Sequence, residues 1–304
     1  MDGPADRRTE TVGSLRRRLA AMLRGAGIET PELDARHLVG HVLDLDLTGV
    51  VLRADEPVDA GRIETVMRLA AERIARKPVG RILGTRGFYG LEFALSAETL
   101  EPRPDTETLV DAALEFLYNE CTGRPIIADI GSGTGAILIA LLVDVTGGAG
   151  VAVDISAGAL TTTRANANRH GVADRMLAVQ ASYAGALAID CFDLIVANPP
   201  YIRTGDIAGL DAEVRDYDPL LALDGGADGL DAYRALVPQA FAALKPGGAL
   251  MVEIGYDQSE AVVALMRETG LAAVSTRCDL AGRARIVAGR RRRSTENAAQ
   301  PGNS

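Results

Sequence analysis

The sequence has little cysteine, no excess of positive charge and no long apolar run. Its three cysteines, Cys121, Cys191 and Cys278, are odd in number and far apart. That excludes a disulfide framework and a CxxC zinc knuckle, and it fits a reducing cytosol. Lysine and arginine together number 32 against 41 acidic residues, a net charge of −9, opposite to the basic footprint of a nucleic-acid binder. No direct DNA binding is expected. The most apolar stretch, residues 136–145, is about half of the roughly 20 residues needed to cross a bilayer. Residues 1–10 are charged and lack the apolar centre of an export signal. A soluble, cytoplasmic protein with no membrane partner and no metal is therefore expected, and no internal repeat is visible.

What is present is an ordinary globular balance. The 304 residues are 47% hydrophobic and 24% charged, enough for one large domain or two smaller ones. Residues 12–77 read as helices only. Leu15, Leu19, Met22 and Leu23 recur at helical spacing before Gly25 and Gly27. Thr30-Pro31 opens a second helix with Leu33, Leu38, Val42 and Leu43, and Ile63, Val66, Met67, Ala70 and Ile74 mark a third, closed by Pro78 and Gly80. Between residues 81 and 103 the period changes: Phe88, Tyr89, Leu91, Phe93 and Leu95 suggest a hairpin or extended linker. From residue 106 apolar runs alternate with helical patterns, which means a parallel α/β sheet. The expected division is a helical unit over 1–84, a hairpin or linker over 85–105, an α/β unit over 106–289 and a disordered tail over 290–304.

Two motifs sit where the chain leaves a strand. The first is Asp129-Ile-Gly131-Ser132-Gly133-Thr134-Gly135-Ala136, a glycine turn between strand and helix whose free N–H groups suit a nucleotide-like ligand. It also satisfies the loose dinucleotide fingerprint. On this motif alone NAD and S-adenosylmethionine stay open. Asp154, ending the run Val151-Ala-Val-Asp154, can take both hydroxyls of a ribose or, with Ser156, cap the next helix.

The second motif, Asn198-Pro199-Pro200-Tyr201, follows the apolar run 193–197 and decides between the cofactors. A planar amide or amino nitrogen is a poor nucleophile because its lone pair is delocalised, so methylation requires that lone pair to be held toward the methyl carbon. The Asn198 side-chain carbonyl and the Pro199 main-chain carbonyl can each accept one N–H. Two prolines stiffen the turn, and Tyr201 offers a flat face. A hydride-transferring enzyme has no such need.

With these residues in view, the chain resembles the protein-(glutamine-N5) methyltransferases that modify peptide chain release factors. The resemblance spans roughly residues 78–289. It rests on Lys77-Pro78 through Ile82-Leu83-Gly84, Phe88-Tyr89-Gly90, Pro102-Arg103-Pro104-Asp105-Thr106-Glu107, the glycine loop, Val153-Asp154-Ile155-Ser156, the Asn-Pro-Pro-Tyr turn, Leu223-Asp224-Gly225-Gly226 and Asp228-Gly229-Leu230. Adenine-N6 methyltransferases share the Asn-Pro-Pro-Tyr motif on a flipped base and form the rival reading, weakened by the acidic charge. The resemblance implies a Rossmann-like, S-adenosylmethionine-dependent methyltransferase domain with a small all-helical N-terminal domain. It implies that the cofactor contacts residues 131–135, Asp154, Tyr183 and Asn198. The glutamine of the release factor's GGQ motif would lie against Asn198, Pro199, Pro200 and Tyr201, with Asn198, Pro199 and Tyr201 catalytic. Two positions depart from the family pattern. Ala181-Ser182-Tyr183 lacks the usual aspartate before the aromatic, and Asp218-Pro219 replaces a glutamate-proline pair.

The helices of 12–77 carry none of the cofactor or amide-holding motifs. They are expected to dock the release factor, since one glutamine offers too few atoms to be selected alone. His37 and His41 are four apart on a helix and lack a third metal ligand nearby. The arginines of 290–293 are a short run without aromatics and read as part of the solvated tail rather than an RNA contact.

Overall fold

The computed structural model describes residues 10–279 and 281–293. They fall into two compact units, one ending at Gly84 and one starting at Thr85. No helix among the described residues is long and apolar enough to cross a membrane.

The first unit is helical throughout: α1 (Val12–Gly25), α2 (Pro31–Leu43), α3 (Leu47–Leu52), α4 (Ala60–Ile74) and α5 (Val79–Leu83). Thr11 and Ser14 close a reciprocal cap on α1, and Asp46 and Asp59 accept the Gly49 and Arg62 N–H groups to start α3 and α4. Leu15, Leu19 and Leu23, four apart and so on one face, are fully buried with Leu38, Val39 and Val66. Each such side chain contributes about 1.5–3 kcal/mol. Thr30 stands before Pro31 as the sequence suggests, but its hydroxyl donates to Asp34 at 2.9 Å instead of accepting from the helix. Asp34 also receives Arg73 Nε at 2.7 Å in a buried ion pair. α3 and α5, of 6 and 5 residues, are too short to show a period and are not legible in the sequence.

The second unit opens with a hairpin, β1 (Thr85–Phe88) and β2 (Leu91–Ala94). Tyr89 and Gly90, at φ 49° and 72°, form the two-residue turn that suits the strand twist. Phe88 and Phe93 then meet edge to face inside the core. There follow α6 (Glu107–Glu120), β3 (Ile126–Ile130), α7 (Ala136–Asp144), β4 (Ala149–Asp154), α8 (Ala157–Arg169), β5 (Met176–Gln180), β6 (Phe192–Ala197), α9 (Ala212–Arg215), α10 (Asp231–Ala243), β7 (Leu244–Glu253), α11 (Ser259–Glu268), β8 (Ala272–Cys278) and β9 (Ala284–Arg290). The sheet order is β5-β4-β3-β6-β7-β9-β8. The first five strands are parallel, and β9 pairs antiparallel with β7 and β8. This is the parallel α/β sheet that the alternation implied, Rossmann-like as the resemblance implied, and its last two strands add an antiparallel edge.

One apolar layer joins α6 and α7 to one face of the sheet, and a second joins α10 and α11 to the other. β5 is not legible in the sequence, because as an edge strand it leaves Leu177 exposed and shows no buried run. The expected tail over 290–304 needs correcting at its start. Arg290 ends β9 and pairs with Glu120, Arg291 donates to the Leu244 carbonyl at 2.6 Å and lies over the Phe241 ring, and Arg293 also reaches Glu120. The arginines are held by carboxylates, a carbonyl and a ring that lie far away in sequence. Residues 294–304 lie outside the described residues.

Candidate functional site

A cleft of about 380 Å³ opens over the carboxyl ends of β3, β4, β5 and β6, where the strand order reverses and ligands of open α/β sheets bind. Its volume suits a small-molecule site. Gly131, Ser132, Gly133, Thr134, Asp154, Tyr183, Asn198, Pro199 and Pro200 all line it. Gly135 and Tyr201 do not.

The glycine loop is locked from below. The Gly131 and Ser132 N–H groups donate to the Val153 carbonyl at 2.8 and 3.0 Å, which pins the turn to β4. Gly131 and Gly133 have φ of 76° and 54°, and a Cβ on either would meet nothing. Glycine is needed there for the left-handed backbone and for an open floor to the cleft. Gly135, expected with the cofactor loop, lies outside the lining of the cleft and is tightly packed: at φ 79°, a Cβ there would fall 2.7 Å from Thr163 Cγ2 and 2.9 Å from Ile139 Cδ1. It sets how closely α7 approaches α8.

Of the two roles that the sequence left open, the helix cap falls to Ser156. Ser156 caps α8 by accepting the Ala159 N–H at 3.0 Å. Asp154 accepts Gly133 N–H on one oxygen and Ser156 N–H on the other, both at 2.9 Å. Each oxygen keeps a lone pair for a ligand hydroxyl. Beneath the loop Asp129 is fully buried, and desolvation pushes its carboxyl up to about 7. One Asp129 oxygen and the buried Ser132 Oγ have no protein partner among the described residues. Orphaned polar atoms in a glycine cradle fit a polar cofactor. Tyr183, at φ 51°, lines the cleft with Ser182 beside it, so this loop brings no carboxylate to the cleft.

The Asn-Pro-Pro-Tyr turn is braced from three directions. Asn198 Nδ2 donates to Thr106 Oγ1 at 3.1 Å, which fixes the amide plane and leaves Oδ1 as an acceptor. Gln258 Nε2 donates to the carbonyls of Tyr201 and Gly229 at 2.9 and 3.0 Å, while its Oε1 accepts Gly255 N–H at 3.0 Å. The glycine block after residue 223 presses on the same turn, for a Cβ on Gly225 would lie 2.8 Å from Tyr201 Cα and one on Gly229 2.5 Å from the Tyr201 carbonyl.

Tyr201, expected to offer substrate a flat face, does not line the cleft. Its ring packs against the sheet core, its hydroxyl donates to Glu253 Oε1 at 3.5 Å, and burial pushes the phenol up to about 12. Glu253 is 1% exposed, and desolvation raises its carboxyl to about 7 against the favourable Thr106 hydroxyl and Arg285 charge. Sequence reasoning does not single out Thr106, Gln258 or Glu253 as site residues. Thr106 lies inside the Pro-Arg-Pro-Asp-Thr-Glu block, whereas nothing local in sequence marks Gln258 or Glu253. His37 and His41 gain no further ligand: no group of three or more metal-ligating side chains occurs among the described residues.

The chain is similar to known proteins along nearly its whole length. The family model described as the PrmC N-terminal domain matches residues 14–84, and that described as the Methyltransferase small domain matches residues 106–212. The chain is 51% identical over 284 residues to a release factor glutamine methyltransferase of Bradyrhizobium diazoefficiens, covering 93% of this chain and 95% of that protein. It is 46% identical over 292 residues to another, of Rhodospirillum rubrum, covering 95% and 89%. The solved hMettl16 catalytic domain, in complex with a 3'UTR hairpin, is similar at a TM-score of 0.54 and 15% identity over 73% of this chain and 81% of that one, a likeness of fold alone. With relatives of such identity along nearly its whole length, the chain belongs to the release factor glutamine methyltransferase family.

Proposed function

We infer that the protein methylates the side-chain amide nitrogen of the GGQ glutamine in peptide chain release factors, with S-adenosylmethionine as donor. The observation that carries this reading is one cleft lined both by the glycine loop and Asp154 and by the amide of Asn198. S-adenosylmethionine supplies an electrophilic methyl group on a sulfonium. The residues of the cleft hold and aim. Gly131, Ser132, Gly133 and Thr134 form the floor, Asp154 takes the ribose hydroxyls and Tyr183 borders the adenine.

On the substrate side Asn198 Oδ1 and the Pro199 carbonyl each accept one N–H of the glutamine amide, which keeps its nitrogen turned toward the methyl group. Pro199 and Pro200 fix the turn, and Tyr201 acts from beneath as its support. Such positioning can supply several kcal/mol of the barrier reduction without a strong base. The helical unit docks the release factor, a role supported by its contributing none of the residues that line the cleft. The protein works in the cytoplasm, beside the translation machinery that release factors serve.

The test offers labelled S-adenosylmethionine and purified protein separately with release factor, with release factor whose GGQ glutamine is replaced, and with DNA. Label is expected in the first alone. Label in DNA or in the replaced release factor overturns the reading.

A further inference from the structure

The cleft wall carries four charged side chains among the described residues, Glu98, Arg103, Asp154 and Asp224. Arg103 is the one cation among them. Its Nη2 donates to Asp218 Oδ2, and the two side chains are exposed to very different degrees, 39% for the arginine and 2% for the aspartate. The guanidinium therefore backs onto a buried carboxylate and opens toward the cleft. Asp218 is further fixed by the Glu101 N–H at 3.5 Å. The remaining guanidinium nitrogens of Arg103 have no protein partner among the described residues. A planar fork with free donors, held by one edge, is suited to a carboxylate.

Its place in the chain says which carboxylate. Arg103 precedes the short turn Pro104–Thr106, and Thr106 holds the Asn198 amide. A cofactor held by its ribose at Asp154 with its sulfonium toward Asn198 would keep the amino-acid tail attached to that sulfonium within the same cleft, whose wall includes Arg103. The tail ends in the cofactor's single carboxylate. Without Arg103 that anion would face a wall bearing only acidic charges, an arrangement that like-charge repulsion disfavours.

We propose that Arg103 receives the α-carboxylate of S-adenosylmethionine and that Asp218 is the positioning residue that aims it. The proposal rests on the methyl-transfer reading and adds a contact to it. It also accounts for the burial of Asp218, an anion that orients a cation on the cleft wall.

Calorimetry with two probes, S-adenosylmethionine and its decarboxylated analogue, tests it on the full chain. Wild type should bind the carboxylate-bearing compound about 10- to 100-fold more tightly, the ratio of one charge-assisted contact. Arg103→Met should bring that ratio close to one, Arg103→Lys should leave it intermediate, and Asp218→Asn should lower it with Arg103 still present. Thermal melting of each variant shows whether the fold is kept, and Arg103→Met, at a half-exposed side chain, keeps the test valid should Asp218→Asn unfold. A ratio unchanged in Arg103→Met overturns the proposal. So does a variant whose only change is a higher KM for release factor, since the guanidinium would then serve the protein substrate. Failure of wild type to bind either compound would instead sink the methyl-transfer reading itself.

Discussion

Asn198 and Thr106, 92 residues apart in sequence, meet through a 3.1 Å hydrogen bond that decides which end of the Asn198 amide faces the cleft. The amide nitrogen is engaged, so the oxygen is presented. Asn198→Ala should lower kcat by about 10² or more, the scale of losing one well-placed polar group. Thr106→Val keeps the shape but frees the amide to turn, and a loss of about 5- to 30-fold in kcat is expected. Cofactor affinity should barely move in either variant. Near wild-type turnover in both would remove the positioning role of Asn198.

Asp154 gives a second expectation. Asp154→Ala should weaken S-adenosylmethionine binding by about 1.5–3 kcal/mol. Asp154→Asn should be nearly as poor, because one amide edge would set a donor against the N–H of Gly133 or of Ser156, both of which now donate to the carboxylate. Calorimetry measures both, and an asparagine variant that binds like wild type would show that charge and acceptor count are unimportant there.

Two glycines of one loop should fail differently. Gly135→Ala forces a Cβ 2.7 Å from Thr163 Cγ2 at a left-handed backbone, a cost of about 2–4 kcal/mol and a Tm lower by roughly 5–15 °C. Gly131→Ala meets open space and bears only the backbone strain, about 1–2 kcal/mol. Its methyl group enters the cleft, so its larger effect should appear in cofactor affinity. Equal loss of Tm in the two variants would contradict this division.

Glu253 predicts a pH dependence of stability. Its carboxyl is raised from 4.5 to about 7 by desolvation, so between those values the unfolded chain has released a proton that the folded chain still holds. Stability from this group is present in full below about pH 4.5 and is lost as pH rises through about 7. Glu253→Gln removes that titration. The Tm of the variant minus that of wild type should therefore increase between pH 5 and pH 8, and a flat difference would mean that Glu253 titrates normally.

The helical unit supplies the last expectation. A shortened chain beginning at Thr85, where the second compact unit starts, should bind S-adenosylmethionine yet methylate full-length release factor far more slowly than the whole protein. On a short peptide with the target glutamine the two should differ little. Equal rates on full-length release factor would leave the helices without a docking role.

The class of fold and the two motifs that line the cleft are legible in the sequence, because both are local. A strand run, a glycine turn and an Asn-Pro-Pro turn are written in consecutive residues, and their place at strand ends follows from hydrophobic alternation. What it could not determine is what meets across the chain. Tyr201 reads in sequence as a surface for substrate, and the tertiary structure packs its ring against the core with its hydroxyl on Glu253. Gly135 reads as part of a cofactor loop, but the approach of α8 makes it a packing contact. The arginines after residue 289 read as a solvated run, but Glu120, the Leu244 carbonyl and the Phe241 ring come from distant segments to hold them. Thr106, Asp218, Glu253 and Gln258 each reach a partner between 52 and 117 residues away. Direction and burial of a side chain depend on such long-range contacts, and these come into being only when the sheet has closed and brought its strand ends together.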